Sequence, residues 1–472
     1  MVSIEILPLI REGNKVTFSW KQDTEETLVK NSSFFYNFHQ IDIKTIPNAY
    51  FYNILFGIMF PSWRNMGDIE IVSTENLPYE IFHLWKKYTN ATNIVLKSGT
   101  EPTPKLKSLH ENEIGLLFGG GKDSMMGLGV LSEIYPEKSI KLLSFLHPQS
   151  LGTDFKEKLL KRRQNLVLDH VEHLRNCEVV LIETDYLGKC LNQDAKNAPH
   201  ITFYTSTFPI LSSTLGITEF VFNYEIPHYW TNKKDSTKYT PFFKSSRPEF
   251  TGFLSTQFSN LQNNEINIIN MGAPTGINTH YKIVQKRYPD LFPYTLTCET
   301  ILDMNKRFCL KCNKCFYYFL YTNSVGESDE EFDNEKFLSG PYFEERLNNL
   351  FKDKKKPSIN ENGIFLGGPL GIIEQIDMEY WLYHLKLDEL NVSPRAKLNI
   401  AKVKEYMGNV NHPHPEQYFL DAANHFPDWL YAPWENIVSS YANRKNKPDE
   451  YLFNGEYVEF DFSKNFLETK GE

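Results

Sequence analysis

A chain of 472 residues exceeds what one hydrophobic core serves and, at roughly 100 to 200 residues per domain, divides into two or three units. Its formal net charge of −9 argues against broad contact with a nucleic-acid backbone, while 41% hydrophobic residues, including 35 Phe and 26 Tyr, supply large cores. No apolar run approaches 20 residues, and the start, Met-Val-Ser-Ile-Glu-Ile, has no basic segment leading an apolar one, so the expectation is a cytoplasmic chain with no membrane association.

Residues 1–105 alternate short apolar or aromatic runs, with strands expected at 3–10, 15–20, 41–46 and 93–97, an apolar segment at 50–60 and a helix at 79–88. This reads as an N-terminal α+β accessory module, joined through Thr100-Glu-Pro-Thr-Pro-Lys, whose two prolines keep the link extended. From 106 to 325 strands and helices alternate, which predicts an α/β unit with parallel strands and right-handed crossovers. Its strands are expected at 114–118, 141–146, 179–183, 220–223 and 266–270, and its helices at 124–134, 155–175 and 204–214.

The first of those strands runs into Gly119-Gly120-Gly121-Lys122-Asp123-Ser124 and then an apolar helical segment that Pro136 ends. Three glycines let a backbone approach an anion closely, and the first helical turn points free N–H groups and the positive end of its dipole at it. Asp123 or Ser124 is the expected helix cap. A Walker A loop needs Ser or Thr directly after the Lys, where Asp123 stands, and a dinucleotide fingerprint needs Gly where Ser124 stands. The segment resembles the S-G-G-x-D-S/T loop of the PP-loop ATP pyrophosphatases at every position except the first, where Gly119 replaces Ser.

Of six cysteines, Cys177 and Cys190 stand alone and read as ordinary reduced thiols. Cys298 and the run Cys309-Leu-Lys-Cys312-Asn-Lys-Cys315 bring four thiolates within reach of one ion, a tetrahedral shell suited to zinc. Lys306, Arg307, Lys311 and Lys314 would offset the charge of a Zn(Cys)₄ centre. An iron–sulfur cluster is the other metal option, although Phe316 follows where the bacterial ferredoxin run wants a further Cys-Pro; a disulfide is the non-metal option.

Residues 326–472 begin with an acidic stretch and read as a mainly helical C-terminal region, clearest at 372–387 and 416–426. His412, His414 and His425 read as a surface loop, and Trp381, Trp429 and Trp434 suit either a protein interface or a core.

Loop, parallel core and cysteine knot together resemble the 7-cyano-7-deazaguanine synthase (QueC) family over about residues 112–318. Tyr294-Thr-Leu-Thr-Cys298, Phe145-Leu-His147-Pro-Gln149 and Ser246-Arg247-Pro-Glu249-Phe250 stand where that family has similar segments, with Ser245 in place of an Asp and His280-Tyr-Lys282 in place of Lys-Ala-Glu. The extra length is similar to the QueC-like components of bacterial anti-phage systems, Qat and type IV CBASS.

The resemblance implies ATP, Mg²⁺ and Zn²⁺ as cofactors. It assigns Gly119, Gly120, Gly121 and Ser124 to the pyrophosphate, Gln149 and Arg247 to nucleotide or substrate, and Lys122, Asp123 and Ser124 to the catalytic loop, with Asp123 holding Mg²⁺ or fixing the loop. Cys298, Cys309, Cys312 and Cys315 are the expected metal ligands. The implied reaction is adenylation of a 7-deazaguanine-type carboxylate and its transfer to an amine, with a partner protein of a defence operon as the implied acceptor. Nitrile synthesis in the queuosine pathway and an idle scaffold of a defence complex stand as alternatives.

Overall fold

The computed structural model describes residues 1–24, 28–106, 113–146, 160–191, 201–225, 248–262, 264–296, 305–343 and 417–445, with short pieces elsewhere. One eleven-stranded sheet organises most of them. Its strands are β1 (Val2–Ile6), β2 (Ile10–Glu12), β3 (Lys15–Gln22), β4 (Ser33–Phe38), β5 (Ile69–Ser73), β6 (Ile94–Leu96), β7 (Glu113–Leu117), β8 (Ile140–Leu146), β9 (Cys177–Thr184), β10 (Ile217–Phe222) and β11 (Asn267–Asn270). The spatial order is β11-β10-β7-β8-β9-β4-β3-β1-β5-β6, with β2 on β3.

The five strands β11 to β9 in that order are all parallel, which makes the fold α/β with a mostly parallel central sheet. Each falls within a residue or a few of its expected position, because a strand covered on both faces reads as a near-continuous apolar run. One face meets α3 (Lys122–Ile134) and the other meets α1 (Asn48–Trp63) and α2 (Tyr79–Thr89); α4 (Asp169–Leu174), α5 (Phe208–Leu215) and α6 (Pro248–Gln262) follow in the chain.

The leading segment is not set apart from this sheet. Thr184, Glu183 and Ile182 of β9 pair antiparallel with Tyr36, Asn37 and Phe38 of β4, and one apolar core runs from Ile4 and Phe18 to Phe145 and Phe220. Strand β4 is not among the expected strands, although its alternation of partly buried and buried residues is the period of a half-buried strand. Residues 41–46, expected as a strand, are not one. Arg11 donates to the Ile43 and Ile46 carbonyls, so their backbone groups are satisfied without a ladder. The apolar segment at 50–60 is α1, buried on every side, and its Asn53 donates to the Ser206 carbonyl (2.6 Å) while accepting from Trp85 Nε1 (2.8 Å).

Two further expectations change. Residues 416–426 form a short strand, Gln417–Phe419, paired with Asn443–Lys445, and a four-residue helix, so the described part of the last third mixes strands with helices. Trp381 and Trp434 are core residues with no exposed surface, and Trp429, half-buried, packs edge-on against Tyr135; the first two cannot serve an interface. Among the described residues no helix is long and apolar enough to cross a membrane.

Candidate functional site

The chain leaves β7 towards β8 and β9 on one side and returns to β10 and β11 on the other. The crevice outside the carboxyl ends of β7 and β10 is therefore the topological switch point, where ligands of open α/β sheets bind. A cleft of about 300 Å³ opens there, at the lower end of the range for small-molecule sites. Gly119, Gly121, Asp123 and Ser124 line one end; Phe145, Tyr204, Phe222 and Tyr224 supply aromatic walls.

The glycine turn has a conformational reason. Gly120 sits at φ +78°, and a Cβ there would press on Val167, which a π-helical turn at Gln164–Leu168 brings over the loop. The Gly120 carbonyl accepts from the Leu296 amide (2.7 Å), so the segment leading to the cysteines is stitched to the loop. Gly121 is the N-cap of α3, with no side-chain cap; Asp123 and Ser124, expected as caps, lie in the first turn, and the Ser124 hydroxyl donates back to the Gly121 carbonyl (3.1 Å). The first-turn amides thus have no intrahelical partner and face the glycine turn.

Lys122 does not line the cleft. Its ammonium lies behind the loop, 2.8 Å from Asp123 and 2.8 Å from Glu225. A cation at a helix N-terminus opposes the dipole, and burial also disfavours its charge; the two carboxylates overcome both and hold the Lys122 pKa well above its ordinary value.

Asp123 is gripped from a second side by His280, fully buried, whose Nδ1 stands 2.7 Å from Asp123 Oδ1 and whose Nε2 stands 2.7 Å from Thr275 Oγ1. An ionised carboxylate only accepts, so Nδ1–H donates to it. Asn223, at the end of β10, lines the cleft and donates to the Asp123 carbonyl (2.8 Å), while its Oδ1 is buried and has no partner among the described residues. A Cβ on Gly127 would collide with that Asn223 amide, which is why helix α3 carries glycine on this face.

His280, Asn223 and Glu225 escaped sequence reading as site residues. Asn223-Tyr-Glu225 could have been found: it is the polar end of a parallel strand, the position that the fold rule marks.

Helix α7 (Ile277–Arg287) carries His280, and a distant residue caps it. Asp377 Oδ1 accepts from the Asn278 amide (3.0 Å), and Trp381 Nε1 donates to Asn278 Oδ1 (2.8 Å). Burial lifts the Asp377 carboxyl to about 7, with Glu225 adding to the rise while the Asn278 amide and Lys122 oppose it. A carboxyl held above its unfolded value of 3.8 binds its proton more tightly when folded, so its contribution to stability is present below that value and fades as pH climbs towards 7. Between pH 5 and pH 8 the melting temperature of the wild type should therefore fall relative to that of Asp377→Asn. Parallel melting curves for the two proteins would contradict this.

Cys309, Cys312 and Cys315 form the second cluster, their sulfurs all within 4.8 Å of one another. The Cys309–Cys315 and Cys312–Cys315 separations are 3.8 and 3.6 Å, close to the tetrahedral edge of about 3.8 Å set by Zn–S bonds of about 2.3 Å. No disulfide joins the described cysteines to one another. The cluster can hold a metal ion such as zinc.

The turn is built for it. Leu310 takes φ +57°, a left-handed conformation costing ~1–2 kcal/mol for a residue with a Cβ, and this swings the Lys311 amide to 3.4 Å from Cys309 Sγ. Cys312 is the N-cap of α8 (Asn313–Thr322) and Cys315 lies in its first turn, where the helix dipole favours thiolate. Arg307 does not offset the thiolates as expected: it is buried and paired with Glu331 (2.7 Å) and Asp329 (3.2 Å). Cys177 and Cys190 donate to the Val171 and Tyr186 carbonyls, and burial pushes the Cys177 thiol up to about 12, which leaves it inert.

Gln149, Arg247 and Cys298 lie outside the described residues, as do His412 and His414. No family model, curated protein or solved structure matches the chain.

Proposed function

We propose that the chain is an ATP-dependent ligase of the PP-loop kind, related to the QueC-like components of anti-phage systems, that adenylates a carboxylate of the 7-carboxy-7-deazaguanine class and passes the acyl group to an amine. The observation that carries this reading is the cleft at the switch point, lined by a glycine turn, a helix N-terminus and aromatic side chains.

In this reaction a substrate carboxylate oxygen attacks the α-phosphorus of ATP and the bond to the β-phosphate bridge breaks, releasing pyrophosphate. The acceptor amine then attacks the acyl carbon, loses a proton, and displaces AMP, leaving an amide. The protein's contribution is placement and charge stabilisation. The amides from Gly119 to Ser124 would receive the departing diphosphate, as helix N-termini do for anions. Among the described residues lining the cleft Asp123 is the sole carboxylate, so it is the side chain through which a Mg²⁺ carried by the phosphates would touch the protein. Its two other partners, Lys122 and His280, hold it and the loop in place. The aromatic walls suit planar rings. Zinc on the cysteines would be structural, closing the knot with Cys298 as the fourth ligand.

The test incubates purified protein with ATP, Mg²⁺ and 7-carboxy-7-deazaguanine and follows AMP, pyrophosphate and product mass. Substrate-stimulated AMP with added mass on a co-expressed neighbouring protein is the expected result. A free nitrile would make the chain a pathway synthase, and no stimulated AMP would make it a scaffold.

A further inference from the structure

We infer that Lys314 is an anion-gripping residue of the cleft, held on its wall by the cysteine-bound metal, so that metal occupancy sets affinity for the diphosphate. The inference rests on the nucleotide reading above and goes beyond it by joining the two clusters.

Among the described residues, the loop itself brings no unpaired positive charge to the cleft. The loop offers neutral amides, and behind it one ammonium, Lys122, stands against two carboxylates, Asp123 and Glu225. Two basic side chains line the cleft among the described residues, Arg163 and Lys314. Arg163 is buried and committed to Ser144 Oγ (3.0 Å) and the Phe145 carbonyl (3.1 Å). Lys314 is exposed and has no hydrogen bond or ion pair with a described residue. A multiply charged anion entering the cleft meets this ammonium, a point charge on a flexible stem.

The placement of Lys314 follows from the metal. It lies between Cys312 and Cys315 in the first turn of α8, so ligation of both sulfurs pins the backbone on either side of it. The same segment is tied to the loop by the Leu296–Gly120 bond, and to the helical stretch that lays Val167 over the loop by Arg162, fully buried, which donates to the Lys306 (2.7 Å) and Arg307 (3.2 Å) carbonyls. Without the ion, the left-handed turn at Leu310 loses what holds it and Lys314 leaves its station.

The test titrates inorganic pyrophosphate with Mg²⁺ into the full chain by calorimetry, with zinc content measured alongside. Lys314→Gln should weaken binding about tenfold and flatten its salt dependence at unchanged zinc content, while Lys314→Arg should stay within about threefold of wild type. Chelation of the metal should weaken the wild type by a similar factor and the Gln variant by little more. Equal affinity of wild type and Lys314→Gln overturns the role of the lysine, and equal affinity of loaded and stripped protein overturns the coupling. If stripping unfolds the chain, amine acetylation of loaded protein decides: pyrophosphate should shield Lys314 several-fold in the wild type and less than twofold in Cys309→Ser, and equal shielding overturns the coupling. A loaded wild type that binds no pyrophosphate would sink the nucleotide reading itself, and this inference with it.

Discussion

Asp123→Ala should lower substrate-stimulated AMP release by at least about 100-fold while leaving the chain folded. The activity loss follows from geometry. Asp123 lies at the cleft end of the loop, tied to Lys122 on one side and His280 on the other, and a misplacement of about 1 Å at a catalytic loop is worth that factor. Stability should fall by about 1–3 kcal/mol, because the buried His280 Nδ1–H is left without its acceptor. Lys122 keeps Glu225 and so remains paired. Asp123→Asn separates the two effects: its amide oxygen can still accept from His280 and spare stability, whereas the charge that binds Mg²⁺ is gone and activity stays low. Assays of AMP release with melting curves for the three proteins check this, and full activity in either variant would remove Asp123 from the site.

Cys315→Ser should reduce bound zinc to background and destabilise the region behind it by several kcal/mol, a size reserved for lost metals, cavities and buried charges. Cys315 is the fully buried vertex that the Cys309 and Cys312 sulfurs approach, at 3.8 and 3.6 Å. Its helix α8 then buries Phe316, Tyr318, Phe319 and Leu320 against Phe332, Phe337 and Trp381, so loosening its first turn exposes a whole core edge. Cys177→Ser and Cys190→Ser, whose thiols donate to the Val171 and Tyr186 carbonyls and stand outside the cluster, should keep their zinc. Elemental analysis and thermal melts distinguish the variants; a Cys315→Ser protein with unchanged metal would contradict the cluster.

Strand β4, which sequence reading misses, and the 41–46 segment, which it takes for a strand, show where such reading runs short. Both are apolar at alternate or near-alternate positions, yet only β4 finds a neighbour, β9, to pair with; the other is bonded by Arg11 from a distant strand. Alternation states that a segment can lie half-buried, not which edge will receive it. The same holds for the tail: Trp381 and Trp434 were legible as aromatic anchors, but whether they face a core or a partner is a property of what packs over them.

What the chain's order of residues determined alone is local. The glycine turn follows from residues without a Cβ ahead of an apolar helix, the parallel strands from short apolar runs, and the thiol cluster from C-x-x-C steps that keep sulfurs within one turn. Only the tertiary structure decided that Asp123 is held by His280, 157 residues away, that Lys122 turns from the cleft to Glu225, that Asp377 caps the helix carrying His280, and that Lys314 reaches the cleft wall. The reason is that a spacing of a few residues is constrained by backbone geometry, whereas contacts across a hundred residues depend on how whole layers pack, and no short motif encodes that.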